Sequence, residues 1–334
     1  MTVNHKIIGS ILLASSTVLS PFTAVVSATS VQQASQQQSD YTEALNQMAD
    51  AIAEQYPIEK LALKIADALR RGMVSGAVET NSKDAFLEST NKILWETAHD
   101  KHLSVRTQEA VQKRMSRAGG NRVPIMRRVS RSEASGPLGT TKITGEMLDD
   151  STGLVTVSSA IYNNPDVFAD ALKKVEGADN IVIDLRRVPG GTGPGVQYFL
   201  SQFYGQKTHV YSNVSRGQDA PRETWTENTP SSTAFADKKL YVLTSKRTAS
   251  GAEAVSFGFK NTGRATLIGE KTAGAGNAGA FLPVGSGLML FLPIMQTISA
   301  TTGEPWEGTG VVPHIEATAD DALEKALVLI GADT

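Results

Sequence analysis

Cysteine is absent from this 334-residue chain. That excludes disulfides, thiol nucleophiles and thiolate metal sites, so the fold must rest on noncovalent packing. Histidine is scarce, at five residues, and aromatic side chains contribute only 6%. Neither sign of charge prevails: the formal net charge is −2, which calls for neither nucleic acid nor an anionic membrane as partner. No apolar stretch is long enough to span a bilayer comfortably. What remains is ordinary globular material, 40% hydrophobic and 20% charged, in a length suited to one large domain or two of common size.

His5 and Lys6 precede an apolar run over residues 7–19, broken by Gly and Ser and followed by Val26-Ser27-Ala28. A short apolar stretch between a basic start and small residues is the pattern of a secretory leader. Residues 1–28 are therefore expected to be a signal peptide cleaved after Ala28, leaving an exported protein, periplasmic or extracellular, with no stable membrane insertion. Removing the leader takes away Lys6 and no acid, so the mature chain is slightly more acidic.

Residues 29–40 are rich in Ser, Gln and Thr. They offer almost nothing to bury and are expected to form a disordered linker. Helical spacing begins at Tyr41. Leu45, Met48, Ala49 and Ile52 share one face, Leu61, Ile65, Ala68 and Leu69 form a second stripe, and a third helix is expected from about 84 to 98. Residues 41–106 are thus expected to be a small N-terminal helical domain. A connecting segment, 107–150, follows. Between 113 and 131 it carries seven basic residues and no acid. No aromatic residues interleave with the charges, which favours a solvated loop over a docking surface for acidic peptide or anionic envelope.

From Thr152 the pattern alternates between strand and helix. Strands are expected over 153–158, 180–185, 240–244 and 265–269. Helices are expected over 166–175, 195–203, 250–261 and 320–330, with antiparallel strands within 280–298. Such alternation implies an α/β domain, residues 151–334, with helices packed on a sheet.

Ser250 stands where the 240–244 strand gives way to a helix. The first N–H groups of a helix lack partners, and its dipole favours negative charge there. A serine at that point could attack a carbonyl while nearby N–H groups, that of Gly251 included, hold the oxyanion. The same residues, Ser250-x-x-Glu253, also form an ordinary capping box. Both possibilities put the helix start in one place, so the segment alone leaves them open.

Asp184-Leu185-Arg186-Arg187-Val188-Pro189-Gly190-Gly191 runs from a buried strand into a turn. Its glycines permit close backbone approach and can present free N–H groups to an anion. The plain alternative is a tight turn in which Asp184 and Arg186 are structural.

A nucleophilic serine needs a base. Beyond the leader the chain offers His99, His102, His209 and His314. His102 lies where the last N-terminal helix ends and a strand is expected, a junction that can face the core domain. His99, Asp100 and His102 make a weak ligand set at a helix end, and no metal is expected. Glu307, in a glycine-rich loop after the last strands, is a carboxylate that could orient an imidazole. As a lone residue it equally suits a solvated loop.

Taken together, these motifs resemble the tail-specific, or C-terminal processing, serine peptidases. Leu243-Thr244-Ser245-x-x-Thr248-Ala249-Ser250-x-Ala252-Glu253 is similar to their nucleophile motif. The Asp184–Gly191 turn is similar to their oxyanion loop, and Trp306-Glu307-Gly308-Thr309-Gly310-Val311-Val312-Pro313 to a loop near their C-terminus. The helical 41–98 segment and Asp100-Lys101-His102-Leu103 resemble the branch of interphotoreceptor retinoid-binding protein and the tricorn protease core.

The resemblance implies a ClpP/crotonase-like β-α superhelix core without a PDZ domain. It also implies Ser250 as nucleophile, His102 as base, Glu307 as its orienting group, and Gly251 with Gly190 or Gly191 as the oxyanion hole. No cofactor is implied, and the substrate would be a peptide or protein. The chain departs from the family at three points: Ala275 stands where the Ser–Lys branch has its lysine, Val188 replaces a usual Asn, and His314 replaces a usual Asp. An alternative of a different class is a non-catalytic module that binds hydrophobic ligands on the same scaffold.

Overall fold

The computed structural model describes residues 21–117 and 139–332. The first 20 residues of the expected leader and residues 118–131 of the basic segment lie outside the described residues.

The first element, α1, is a long helix, Pro21–Gln55. Residues 29–40, expected as an unstructured linker, are part of it. The composition argument holds for burial, since residues 31–33 and 35–40 are exposed. It fails for conformation, because Gln and Ser do not bar a helix and an existing helix extends one bond at a time at little cost. Gln36 Nε2 donates to Asp40 Oδ1 at 2.8 Å, and Thr42 Oγ1 to the Gln38 carbonyl at 2.8 Å. Among the described side chains, burial begins at Tyr41.

Two further helices follow, α2 (Glu59–Ser75) and α3 (Lys83–Ala98). The first ends on Gly76 at φ 77°, and the second starts under the Ser82 hydroxyl, which accepts the Ala85 N–H at 3.2 Å. The chain then continues through β1 (Ser104–Thr107), α4 (Gln108–Arg117), β2 (Ile143–Met147), β3 (Thr152–Val157), α5 (Pro165–Lys173), β4 (Asn180–Asp184), α6 (Gly193–Ser201), β5 (His209–Val214) and β6 (Arg222–Trp225). It ends with α7 (Ser232–Phe235), β7 (Lys239–Thr244), α8 (Gly251–Asn261), β8 (Thr266–Gly269), β9 (Asn277–Pro283), β10 (Leu288–Ser299), β11 (Ile315–Glu316) and α9 (Ala322–Ala332).

The strands make two sheets. One has the order β11-β8-β7-β4-β3-β2, parallel except for the antiparallel edge strand β2. Its central strands are covered on both faces, which is why Ile181, Val182 and Ile183 are consecutive and fully buried. One face packs under α6 and α8, with Val196, Phe199, Ala252, Val255 and Phe259 in that core. The other packs under α9 through Ala322, Ala326 and Ile330.

The second sheet runs β1-β10-β5-β6, with β9 also paired to β10. Leu282, Leu288, Leu290 and Leu292 from β9 and β10 share a core with Leu45, Met48, Ile52, Leu69 and Phe86 of the helices. The helical segment therefore covers one face of this sheet. No helix among the described residues is long and apolar enough to cross a membrane.

Phe86 is fully buried and stacks on Tyr41 with ring centroids 4.6 Å apart. Phe86→Ala is expected to cost about 3–5 kcal/mol of stability, measured as a lower urea midpoint with little change in slope.

Candidate active site

The loops at the ends of β4 and β7 are stitched side by side. Thr248 Oγ1 donates to the Leu185 carbonyl at 2.9 Å, Ser245 Oγ to that of Arg186 at 2.5 Å, and the Ala249 N–H to that of Val188 at 3.1 Å. Arg186 grips Asp184 with two parallel bonds of 2.9 and 2.7 Å and donates to the Ala319 carbonyl at 2.6 Å. The Asp184–Arg186 pair thus anchors the turn, and Val188 is buried beneath it.

Ser250 emerges from this frame with φ 52° and ψ −119°, backbone angles that L-residues seldom adopt. A helix start in ordinary capping geometry would have extended angles. Both contacts of the expected box are in place, and one is a full hydrogen bond: Glu253 Oε2 accepts the Ser250 N–H at 2.9 Å. The hydroxyl makes no directed cap bond. Its partner is His102 Nε2, at 3.0 Å. Strain of this kind accumulates where a side chain is held for a task.

The glycines are required by close approach. Gly190 sits at φ 148°, where L side chains are rare, and a Cβ there would lie 3.3 Å from the Ser250 Cβ; one on Gly251 would meet the Gly191 nitrogen at 2.5 Å. Among the described residues, the N–H groups of Gly190, Gly191 and Gly251 have no protein acceptor. They can receive an anion beside Ser250.

His102 arrives from the other half of the molecule. His99 closes α3 in the left-handed conformation, with its N–H on the Trp95 carbonyl at 2.9 Å. Asp100 then turns the chain. Its Oδ1 accepts the N–H groups of His102 and Leu103 at 2.8 and 3.3 Å; its Oδ2 accepts Tyr56 Oη and Asn277 Nδ2 at 2.9 and 2.8 Å. Beside this carboxylate the Tyr56 hydroxyl, already buried, is pushed well above its usual range. The His102 ring stacks on Phe291, centroids 5.4 Å apart. Burial lowers its pKa, Asp100 opposes this, and Arg106 and Arg114 add to it. The net effect is a neutral imidazole, the form a base must have.

Glu307 is held by Oε2, which accepts the N–H groups of Gly276 and Asn277 at 2.6 and 2.7 Å. Its Oε1 and His102 Nδ1 are both buried without a hydrogen-bond partner among the described residues. One ligand atom each from Asp100, His102 and Glu307 lies within 4.8 Å of the others. These are metal-ligand types, but Asp100 already accepts four hydrogen bonds, two on each oxygen, which a cation would have to displace, and His102 Nδ1 with Glu307 Oε1 alone is a sparse ligand set. Burial, then the nearby Asp100, raises the Glu307 pKa to about 7 against the pull of the two N–H donors.

The other histidines lie elsewhere. His209 stacks on Trp225 and bonds Ser212 Oγ at 2.9 Å; His314 Nδ1 accepts the Leu267 N–H at 2.9 Å. Lys271 is exposed, and Ala275 gives its N–H to Glu253. The sequence patterns did not single out Tyr56, Asn277 or Phe291, and assigned Asp100 no role in orienting His102. The available signal was Asp two residues before His102, the spacing of an Asx turn.

The raised pKa of Glu307 sets a sign. Its protonated form contributes stability that is present at low pH and lost as pH rises from the ordinary carboxylate range through about 7. The stability of Glu307→Gln relative to wild type should therefore increase from pH 5 to 7.5 and then level off. Urea unfolding at stepped pH measures this, and a flat or falling difference contradicts the assignment.

The peptidase family S41 model matches residues 151–317. Among curated proteins, the carboxyl-terminal-processing protease of Synechocystis sp. is 34% identical over 136 residues, 39% of this chain and 30% of that protein. CtpB of Bacillus subtilis, a carboxy-terminal processing protease, is 26% identical over 176 residues, 51% and 35% of the two chains. The aligned parts span about a third of these relatives' length. Two solved structures share the fold at low identity. A lipoprotein from Streptococcus agalactiae aligns with TM-score 0.58 at 13% identity, covering 88% of this chain and 97% of that one. The photosystem II D1 C-terminal processing protease aligns at 0.56 and 14%, covering 85% and 94%. With the loops of Ser250, of Gly190 and Gly191, and of Glu307 inside the matched half of the chain, the protein belongs to peptidase family S41.

Proposed function

We propose that this chain is an exported serine peptidase that cleaves peptide bonds through an acyl-enzyme. The observation that carries the proposal is the 3.0 Å contact between His102 Nε2 and a Ser250 hydroxyl held in strained backbone at a helix start. Ser250 Oγ attacks the peptide carbonyl while His102 Nε2 takes its proton. The Gly251 and Gly190 N–H groups receive the oxyanion. As the intermediate collapses, His102 gives its proton to the leaving amine, and water then releases the acyl group by the same steps in reverse.

Glu307 orients the imidazole. As His102 becomes cationic, the ionised form of Glu307 gains an opposite charge at short range, which offsets its burial. The hydrogen bond from His102 Nδ1 to Glu307 Oε1, unmade here, closes when substrate is bound, since catalytic hydrogen bonds commonly tighten only in the complex. Export is supported by the basic start, the apolar 7–19 run and Val26-Ser27-Ala28.

A fluorophosphonate probe should label wild-type protein at Ser250. Ser250→Ala and His102→Ala should abolish labelling, and Glu307→Gln should lower kcat by about 10²–10⁴. No labelling of a folded sample, together with saturable lipid binding that survives Ser250→Ala, would favour the hydrophobic-ligand module instead. N-terminal sequencing of the exported protein should begin at Thr29, and removing residues 1–28 should leave the melting temperature within about 2 °C of the full chain, since among the described side chains burial begins at Tyr41.

A further inference from the structure

The catalytic steps leave one buried chain of hydrogen bonds without a task, and it begins in the helical segment. Tyr56 follows the last turn of α1, with its N–H on the Ile52 carbonyl at 3.0 Å and its side chain in the helical core. Arg216, just past the end of β5, gives Nη1 to the Ala53 carbonyl and Nη2 to Glu59 Oε1 at 2.9 Å. The turn that carries Tyr56 is thus pinned on both flanks. From it the hydroxyl donates to Asp100 Oδ2 at 2.9 Å.

Two clamps hold the segment on which His102 stands. After His102, Asn91 of α3 accepts the Val105 N–H at 2.8 Å and returns its amide to the Val105 carbonyl at 2.9 Å. Before it, the clamp is Asp100. Oδ1 turns the chain through the His102 and Leu103 N–H groups, and Oδ2 rests on Tyr56 Oη and Asn277 Nδ2. Tyr56, Asp100 and Asn277 are 1%, 2% and 1% exposed, so water has little access to replace a lost donor. A carboxylate this buried keeps its charge and its orientation only while donors satisfy it. The imidazole faces that charge. It also faces Glu307 from the loop after β10, Arg106 on its own strand, Arg114 of α4 and the Ser250 hydroxyl.

We propose that Tyr56 is a positioning residue for His102, acting through Asp100 together with the Asn277 side chain, so that the N-terminal helical segment sets the imidazole in place. The proposal deepens the peptidase reading and rests on it for the meaning of that placement. The hydroxyl has two effects. It fixes the plane of the carboxylate that turns the chain into His102, and it neutralises part of the charge that the imidazole faces. Without it Oδ2 keeps a single donor, the turn loosens, and the imidazole meets more negative charge. More negative charge favours the imidazolium, so His102 stays protonated to higher pH.

The test compares Tyr56→Phe and Asn277→Ala with wild type in the full mature chain. Tyr204→Phe is the control, since Tyr204 is also buried but lies in the other core, bonded to Thr262 Oγ1 at 2.6 Å. The His102 titration midpoint is read by NMR of ring-labelled protein, its signal assigned with His102→Gln, and needs no reactivity. Fluorophosphonate labelling is separated into a maximal rate and a half-saturating concentration. Tyr56→Phe is expected to raise the midpoint by about half a pH unit or more. It should lower the maximal rate by about tenfold to a hundredfold with the half-saturating concentration unchanged. Asn277→Ala should act in the same direction, and the double variant should fall short of the sum because both donors serve one oxygen. Tyr204→Phe should lower the melting temperature and leave the midpoint and the rate alone. A folded Tyr56→Phe with the wild-type midpoint and maximal rate, or with a lowered midpoint, overturns the proposal. If Tyr56→Phe does not fold, Asn277→Ala decides by the same outcomes. Wild-type protein that resists labelling while its variants shift the midpoint would sink the peptidase reading and leave the coupling of Tyr56 to His102 standing.

Discussion

The site depends on one fully buried carboxylate, that of Glu253. Its four hydrogen bonds come from two places. The Ser250 N–H fixes the serine's own backbone; Thr272 Oγ1 and the Gly274 and Ala275 N–H groups bring in the loop after β8, at 2.5, 2.6 and 2.8 Å. Thr272 Oγ1 in turn accepts the Val311 N–H at 2.7 Å, and the Gly308 N–H reaches the Gly274 carbonyl at 2.9 Å. The strained turn at Ser250, the loop that presents Gly276 and Asn277, and the Glu307 loop thus share one anchor. A buried charge is tolerable only when satisfied in this way, and removal of the carboxylate would leave four donors without acceptors.

Three acidic side chains gather around the Ser250–His102 pair, and their hydrogen bonding separates them. Asp100 accepts four bonds, one from the Tyr56 hydroxyl, and holds the His102 backbone. Glu253 holds the serine's backbone. Glu307 alone keeps a buried oxygen without a partner, which makes it the carboxylate able to respond when charge appears on His102. Asn277 links the first and last of these, giving its side-chain amide to Asp100 and its backbone N–H to Glu307.

The buried strands β4 and β7 and the start of α8 were legible because continuous apolar runs and a helix-start pattern are local signals. The loop carrying Gly190 and Gly191 announced itself through its glycines, whose need is steric and local as well. Strands β2, β5, β6 and β11 were not legible. They are short or polar on one side, as in Arg222–Trp225, and their pairing is decided by partners far along the chain. The linker expectation failed at 29–40 because composition speaks to burial, not to whether a polar stretch can ride on an adjoining helix. Ser250 could not be told from a cap locally, since the difference is where its hydroxyl points, and that is set by a residue 148 positions away.

That separation has a consequence for the life of the molecule. His102 stands on the sheet that shares its core with the N-terminal helices, whereas Ser250 stands on the parallel sheet, and Glu307 comes from the loop that follows β10. None of these segments can assemble the trio by itself. Contacts of such long sequence separation form late, after loop closure has been overcome. A chain still being synthesised, or one cut between the two halves, has the parts but not the arrangement. On the proposed peptidase function, hydrolytic competence is then the last property the polypeptide acquires, and the fold itself serves as the safeguard that a removable propeptide provides elsewhere.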